Sequence, residues 1–159
     1  MAEFLGRFGK DMPPFEEAID YFRAKLGRLL TREEFDRLVA IEKARAFTAA
    51  RVVAADQLQA LYDSLLDIIS TGGTLRDFQD VARPTLNRPW HLNLVFQQNV
   101  SSAYGAGHLA QAQQAQGLRP FGRYITGVNP RPSHLALNGL VYPLDHPFWQ
   151  AHWPPWDYN

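Results

Sequence analysis

Apolar residues recur at helical spacing through the first part of the chain, and each stripe predicts a helix. The first stripe follows the prolines at 13 and 14, which suit the entry to a helix: Phe15, Ala18, Ile19, Phe22 and Leu26. A second stripe begins at Phe35, after the segment Thr31–Glu34, whose spacing fits a capping box. Two amphipathic helices are therefore expected before the pattern blurs near Ala44.

Two further helices are predicted in the middle of the chain. Asp56 is the expected N-cap of the first, and Gly72 its expected end, because glycine accepts the left-handed conformation there. Its inward positions are Leu58, Leu61, Leu65 and Ile68 or Ile69. Thr74–Asp77 has capping-box spacing and opens a short helix that stops before Pro84. The inward residues of this short helix are expected to be Leu75, Phe78 and Val81.

The longest helical pattern starts at Pro89 and covers residues 90–116. Its predicted inner face contains Leu92, Val95, Phe96, Asn99, Val100, Ala103 and Gly107. Asn99 needs a hydrogen-bond partner if it is buried among these hydrophobic residues. The small residues near Gly107 predict that another element packs closely against the helix.

The last part of the chain has a different pattern, rich in proline and aromatic residues and poor in charge. Residues 123–126 and 140–142 read as short strands, and Asn138–Gly139 is a strong turn signal before the second of them. From Pro143 onward, aromatic residues alternate with prolines, so we expect no regular structure there. The predicted fold is α+β and mainly α. It is a single domain over residues 1–159, with a helical body (residues 1–118) of four to five helices and a small C-terminal lobe (residues 119–159) carrying an antiparallel β element.

Composition narrows the classes of function. The 159 residues contain 16 basic and 16 acidic side chains and no cysteine, which leaves no disulfide and no thiolate metal site within them. Ten basic and ten acidic residues fall in the first 60 positions, so the helical body is densely charged but balanced. A net charge of zero argues against charge-driven DNA binding. No apolar run is long enough to predict a membrane span or a signal peptide.

Three histidines in the C-terminal lobe are the main candidates for chemistry: His134, His146 and His152, with Arg131 three residues before the first. Imidazoles ligate zinc or act as general bases, but these spacings match no compact metal motif. The alternative is that they form hydrogen bonds that hold the loops of the lobe.

The aromatic residues of the lobe also have two interpretations. Phe148 and Trp149 are expected to form the core of the lobe, whereas Trp153 and Trp156 are candidates for partner binding.

Several segments, in order, resemble a known family. They are the stretch from Phe15 to Phe78, Asn99–Val100 with Ala103–Tyr104 and Gly107, Arg131-x-x-His134 with Asn138–Gly139, Pro147–Trp149 and Pro154–Pro155. In this order and spacing the chain resembles the phage Mu F-like head morphogenesis family, the minor head proteins of tailed phages and prophages. One departure is Gln97–Gln98 before Asn99, where the family usually has Arg-Thr.

The resemblance implies a non-enzymatic assembly protein. It would contact the portal and the capsid or scaffold proteins of a phage head, in the bacterial host cytoplasm during assembly and then in the virion head. It also implies structural roles for the motif residues Asn99, Tyr104, Arg131, His134, Asn138 and Gly139. No cofactor is expected within this chain. In the family a Cys-x-Cys pair follows the two prolines and is associated with the histidine in metal binding. A zinc role for His134 would therefore need cysteines beyond Asn159 in a longer native chain.

A second hypothesis is that the chain is an enzyme. Domains of this kind also resemble modules attached to toxins, and Arg131 with His134 would suit a hydrolase or nuclease in which arginine holds a phosphate and histidine is the base. The structural alternative for both residues is that they brace the turn at Asn138–Gly139, with His134 packed beneath the tryptophan-rich tail.

Overall fold

The computed structural model describes residues 14–25, 37 and 54–153. In that part of the chain six helices and one two-stranded antiparallel sheet follow each other: α1 Glu16–Arg23, α2 Ala55–Thr71, α3 Leu75–Ala82, α4 Pro89–Gln114, β1 Phe121–Arg123, α5 Pro132–Leu135, β2 Val141–Pro143 and α6 Phe148–His152. The predicted class, mainly α with a small antiparallel element near the C-terminus, is confirmed. None of these helices is long and apolar enough to cross a membrane.

Helix α1 forms where the first apolar stripe predicted it. Phe15 is its N-cap residue, and three of the striped residues are buried: Ala18, Ile19 and Phe22. Leu26 and the predicted second stripe from Thr31 to Phe35 lie outside the described residues. The spacing of three and four residues thus identified the buried face of this helix correctly.

Helix α2 carries the largest share of the core. Its predicted inward residues are all buried, and Tyr62 joins them: Leu58, Leu61, Tyr62, Leu65, Ile68 and Ile69. Gly72 ends the helix with φ 73°, as predicted. The prediction for Asp56 was wrong, because the N-cap is Ala54 and Asp56 lies in the first turn. A carboxylate is favourable at either place, since it faces the positive end of the helix dipole.

Helix α3 begins with the predicted capping box. The Thr74 N–H donates to Asp77 Oδ2 at 2.7 Å, and the Thr74 hydroxyl donates to the same oxygen at 2.8 Å. Phe78 is buried, but Val81 is 51% exposed and Ala82 is buried in its place. The assignment of Val81 to the buried face was wrong, because the position four residues after Phe78 faces the core and the position three residues after it does not.

Helix α4 starts at Pro89 as predicted and ends at Gln114. Asn99 donates its amide to the Val95 carbonyl oxygen at 2.8 Å, so its partner lies in its own helix. A Cβ at Gly107 would lie 2.7 Å from Phe15 Cζ and 2.8 Å from the Ala18 nitrogen. The predicted close approach at the small residues is therefore real, and α1 is the neighbouring element.

The chain divides into two compact units, residues up to Gly107 and residues from His108 onward, so the division falls inside α4. The continuous core of the first unit is formed by buried residues of α1 to α4 and by Leu86. The single-domain prediction and its boundary at residues 118 and 119 stay predictions. In the second unit both predicted strands form, but β1 begins two and ends three residues earlier than predicted, and β2 lies one residue later. The expectation of no regular structure after Pro143 was wrong, because α6 forms at Phe148–His152.

Candidate functional site in the C-terminal lobe

The β-hairpin of the C-terminal lobe has an inner and an outer face. Its register sets three pairs of residues opposite each other: Phe121 and Pro143, Gly122 and Tyr142, and Arg123 and Val141. On the inner face, a Cβ at Gly122 would lie 2.6 Å from Trp149 Cζ2. Trp149 is 2% exposed, and its Nε1–H donates to the Pro143 carbonyl oxygen at 2.9 Å. Glycine is thus the residue that lets the indole ring pack directly against β1, and Trp149 joins α6 to the hairpin.

Phe148 lies at the centre of a cluster of rings. Its centroid is within 6.1 Å of four others, in stacked, tilted or edge-on arrangements: Tyr124, Tyr142, Trp149 and His152. Trp153 continues the cluster with its ring edge-on to Trp149 at 5.6 Å, and it remains half-buried. Aromatic pairs in such geometries stabilise by about 0.5–1.5 kcal/mol beyond their buried area. Trp156 lies outside the described residues.

The loop between the two strands holds the Arg131-x-x-His134 motif. Arg131 is the exposed N-cap residue of α5, and His134 is half-buried on that helix. His134 Nδ1 lies 3.3 Å from the hydroxyl oxygen of Tyr124, a buried residue directly after β1. The contact with the Tyr124 hydroxyl therefore links the motif histidine to the residue that follows β1.

Asn138 and Gly139 close the same loop. The Asn138 Oδ1 accepts hydrogen bonds from the Thr126 N–H at 3.1 Å and from the Thr126 hydroxyl at 3.4 Å. Gly139 has φ 85° and donates its N–H to the Tyr124 carbonyl oxygen at 2.8 Å. A side chain is disfavoured at that φ, which explains why the Asn-Gly pair stands where the chain re-enters the sheet.

The other two histidines of the lobe are also held by specific contacts. His146 Nδ1 accepts the Phe148 N–H at 3.1 Å, and its ring stacks on Tyr142 at 4.5 Å. His152 stacks on Phe148 at 4.3 Å, and its Nδ1 donates to the Phe148 carbonyl oxygen at 3.0 Å. Both imidazoles therefore help to define α6: the first binds a free N–H at its start, and the second packs along its side.

The remaining motif residues lie on α4. Asn99 is bonded to its own helix, as described above, and Tyr104 is half-buried with its ring 5.6 Å from that of Phe15. Phe15 precedes α1, so Tyr104 contributes to the packing of α1 against α4. Of the two, Tyr104 is the one that joins separate elements of the helical body.

The sequence of the chain matches a known protein family. Residues 59–159 match the sequence profile of the family described as Phage Mu protein F like protein, which is more than half of the chain. This chain belongs to the Mu F-like family. The segment with Arg131, His134 and Asn138–Gly139 lies within the matched residues.

Two curated relatives of this Mu F-like chain are informative. It is 31% identical over 173 aligned residues to the "Putative capsid assembly protein F" of Escherichia phage Mu, covering 93% of this chain and 39% of that protein. It is 30% identical over 138 residues to the "Mu-like prophage FluMu F protein" of Haemophilus influenzae, covering 73% of this chain and 33% of that protein. The chain thus spans between a third and two fifths of the length of these relatives. No solved structure matches it significantly.

The family resemblance raised His134 as a ligand of zinc, and the described residues of this Mu F-like chain do not form such a site. They contain no group of three or more histidine, aspartate or glutamate side chains placed to hold a metal ion. His134 offers one imidazole, whose Nδ1 faces the Tyr124 hydroxyl. One imidazole alone does not hold zinc tightly.

The electrostatics of the lobe also bear on its chemistry. Between residues 119 and 153 there are three arginines and one carboxylate, Asp145. General acid–base pairs and Mg²⁺ sites usually need acidic groups beside the imidazole, and this stretch has a tyrosine there instead.

Four residues of the lobe that the sequence reasoning did not single out prove central: Gly122, Tyr124, Tyr142 and Leu144. All four have even numbers and lie on the inner face of the hairpin, since residues two apart in a strand share a face. The alternation was present in the sequence. What it lacked was any sign of which face the aromatic tail would cover.

Proposed function

We infer that this Mu F-like chain is a non-enzymatic minor head protein that joins other head proteins during procapsid assembly, with the portal as its direct partner. The observation that carries the proposal is the match over nearly the whole chain to a relative named as a putative capsid assembly protein. On this reading the chain acts in the host cytoplasm during assembly and then in the virion head. Capsid and scaffold proteins are the alternative partners.

The structure of the C-terminal lobe supports a role in protein contacts. Its aromatic residues are held together by ring contacts around Phe148, and Trp153 at the end of α6 is only partly covered. Tryptophan is enriched among the residues that dominate binding energy at interfaces. Trp153 and, further along, Trp156 are therefore the proposed contact residues.

The proposal is tested by co-expressing the chain with the portal protein of the same phage or prophage. The Trp153→Ala, Trp156→Ala double variant is expected to lose at least 90% of the co-purified portal, as an interface hot spot would. Trp90→Ala is the matched control, because Trp90 is a 55% exposed tryptophan on α4. Far-ultraviolet circular dichroism checks that each variant keeps its helices.

Two results would count against this role. Undiminished portal binding by the double variant would remove Trp153 and Trp156 from the interface. Co-purification of a capsid or scaffold protein but never of portal would keep the assembly role and change the partner.

The enzymatic alternative rests on the 3.3 Å pair of Tyr124 and His134 with Arg131 nearby in sequence. It predicts cleavage of a nucleic acid in the presence of Mg²⁺ or Zn²⁺, lost in His134→Ala and kept in His146→Ala. Such an activity would displace the assembly role as the primary function of the lobe.

A further inference from the structure

The two edges of the hairpin differ in what they can bind. Bonds between the strands are made at even-numbered positions: the Tyr124 N–H donates to the Leu140 carbonyl oxygen at 2.9 Å, and the Leu144 N–H donates to that of Pro120 at 3.0 Å. In an antiparallel pair, bonded and non-bonded positions alternate. The odd-numbered residues of both strands therefore direct their N–H and carbonyl groups away from the hairpin.

On β2 this outward edge is interrupted, because Pro143 has no N–H to donate. On β1 the outward residues are Phe121 and Arg123, and each has both a donor and an acceptor. Among the residues that the structure describes, none forms a backbone hydrogen bond with these outward groups. The β1 edge, residues Phe121–Arg123, is thus the one that can receive another strand.

The side chains beside the β1 edge have a definite character. Phe121 is 62% exposed and Ile125 is 73% exposed, although both are large and apolar. Arg119 and Arg123 are exposed and alternate with them, so that every second residue from 119 to 125 is in turn cationic and apolar. The alternation of apolar residues with arginine calls for a strand that alternates acidic and apolar residues at the same spacing.

We propose that the β1 edge binds an extended segment of a partner protein as a third strand, and that the outer face of this segment alternates acidic with apolar side chains. Main-chain hydrogen bonds supply affinity in this mode of binding, and side chains two residues apart supply specificity. The partner's acidic groups would lie beside Arg119 and Arg123 and its apolar groups beside Phe121 and Ile125. The proposal rests on the proposed function only in taking the partner to be another head protein.

The first test uses a fluorescein-labelled synthetic peptide, Thr-Glu-Thr-Val-Thr-Glu-Thr-Val-Thr, titrated with the full chain and followed by fluorescence anisotropy. Binding is expected, with new amide exchange protection at Phe121 and Arg123. A peptide with lysine in place of glutamate should bind at least tenfold more weakly. Two further peptides carry N-methyl groups at the odd-numbered or at the even-numbered residues. The one whose methyl groups replace the N–H groups that pair with β1 should also bind at least tenfold more weakly.

Variants of the protein separate the backbone from the side chain. Phe121→Pro removes an outward N–H and should weaken binding at least tenfold, whereas Phe121→Val keeps that N–H and should weaken it no more than threefold. Val141→Pro is the matched control, because it removes an outward N–H from β2, and it should change binding less than twofold. Arg123→Gln should weaken binding severalfold and reduce its salt dependence.

The proposal is overturned if both N-methylated peptides bind as tightly as the unmodified one, or if the lysine peptide binds equally well. The first result needs no altered protein, so a variant that fails to fold does not leave the question open. Dimerisation through β1 without peptide would make a second copy the occupant. Preferential binding of a DNA oligonucleotide or anionic vesicles through Arg119 and Arg123 would also overturn it.

The two proposals fail separately. If the Phe121→Pro variant still co-purifies with the portal protein and no peptide binds to the chain, the strand proposal falls and the assembly role stands. If the peptide binds as expected but no head protein co-purifies, the edge is a strand-binding site and the assembly role falls.

Discussion

The helical body and the C-terminal lobe bury their side chains by different means. In the body, apolar residues at helical spacing form a continuous buried cluster across four helices, with the densest contribution from α2. In the described part of the lobe, three apolar residues are almost fully buried: Tyr124, Leu144 and Trp149. The lobe is held instead by stacked rings and by individual hydrogen bonds such as that from Trp149 to the Pro143 carbonyl.

This difference predicts two kinds of sensitivity to mutation. The body should lose stability in proportion to the buried volume that a substitution removes, because its core is a close-packed apolar cluster. The lobe should depend on a few exact contacts, so that adding one methyl group in the wrong place matters as much as removing a large side chain. Mutations in each region distinguish these cases.

The largest effect is expected in the body. Leu65 is fully buried in α2, and Leu65→Ala should lower the free energy of unfolding by about 2–5 kcal/mol, since it removes apolar contacts and leaves a cavity. Denaturant unfolding followed by circular dichroism measures it. Leu94→Ala is the control, because Leu94 is 41% exposed on α4, and it should cost far less. Equal losses for the two variants would contradict a core centred on α2.

A smaller effect is expected from the addition of a single methyl group to the lobe. In Gly122→Ala the new Cβ would lie 2.6 Å from the Trp149 ring, so strand or ring must shift at a cost of about 1–3 kcal/mol. Amide exchange at Tyr124 and Leu144 measures the loss of protection. Gly127→Ala is the matched control, because nothing lies within 4 Å of a Cβ there, and it should leave protection unchanged or slightly increased. Similar loss in both would refute the Gly122–Trp149 contact.

The smallest effect is a pH dependence that belongs to the body. Burial lowers the pKa of Lys25 from 10.5 to about 8. Below pH 8 the Lys25 amine is charged in both the folded and the unfolded chain, and burying that charge opposes folding. Above pH 8 the folded chain releases the proton before the unfolded chain does, so stability should rise by about 1 kcal/mol between pH 7 and 9.

Lys25→Met tests this assignment, because it removes the titrating amine but keeps the long apolar side chain. The variant should be more stable than the unaltered chain at pH 7 and should lose most of the rise between pH 7 and 9, measured by denaturant unfolding at each pH. Burial raises the pKa of Tyr21 and Tyr62 above 10, so those groups act above this range. If stability rises between pH 7 and 9 as much in the variant as in the unaltered chain, a group other than Lys25 causes the rise.

Much of the body could be predicted from the sequence because its signals are local. The apolar spacing identified the buried face of α2, and the Thr74–Asp77 pair and Gly72 identified the adjoining helix ends. The misplaced N-cap at Asp56 and the inward assignment of Val81 are errors of one turn or less. They arise because propensity does not distinguish neighbouring positions that are both acceptable.

The lobe was less predictable because its contacts join residues distant in sequence. The strands and the Asn138–Gly139 turn were found from local pattern, but α6 was missed. That short helix depends on Trp149 packing against Gly122 and on His146 accepting the Phe148 N–H. Three aromatic residues interleaved with prolines do not predict a helix on their own.

The sequence by itself determined the helical class, the place of the hairpin and the family, because periodicity, turn residues and ordered motifs are properties of the chain. Only the tertiary structure decided that His134 faces Tyr124 and that Gly122 admits the Trp149 ring. It also decided that, among the described residues, the outward backbone groups of β1 have no partner strand, whereas Pro143 interrupts the outward edge of β2. The reason is physical: contacts and strand edges depend on which distant residues the fold brings within a few ångströms, and a local pattern carries no record of that.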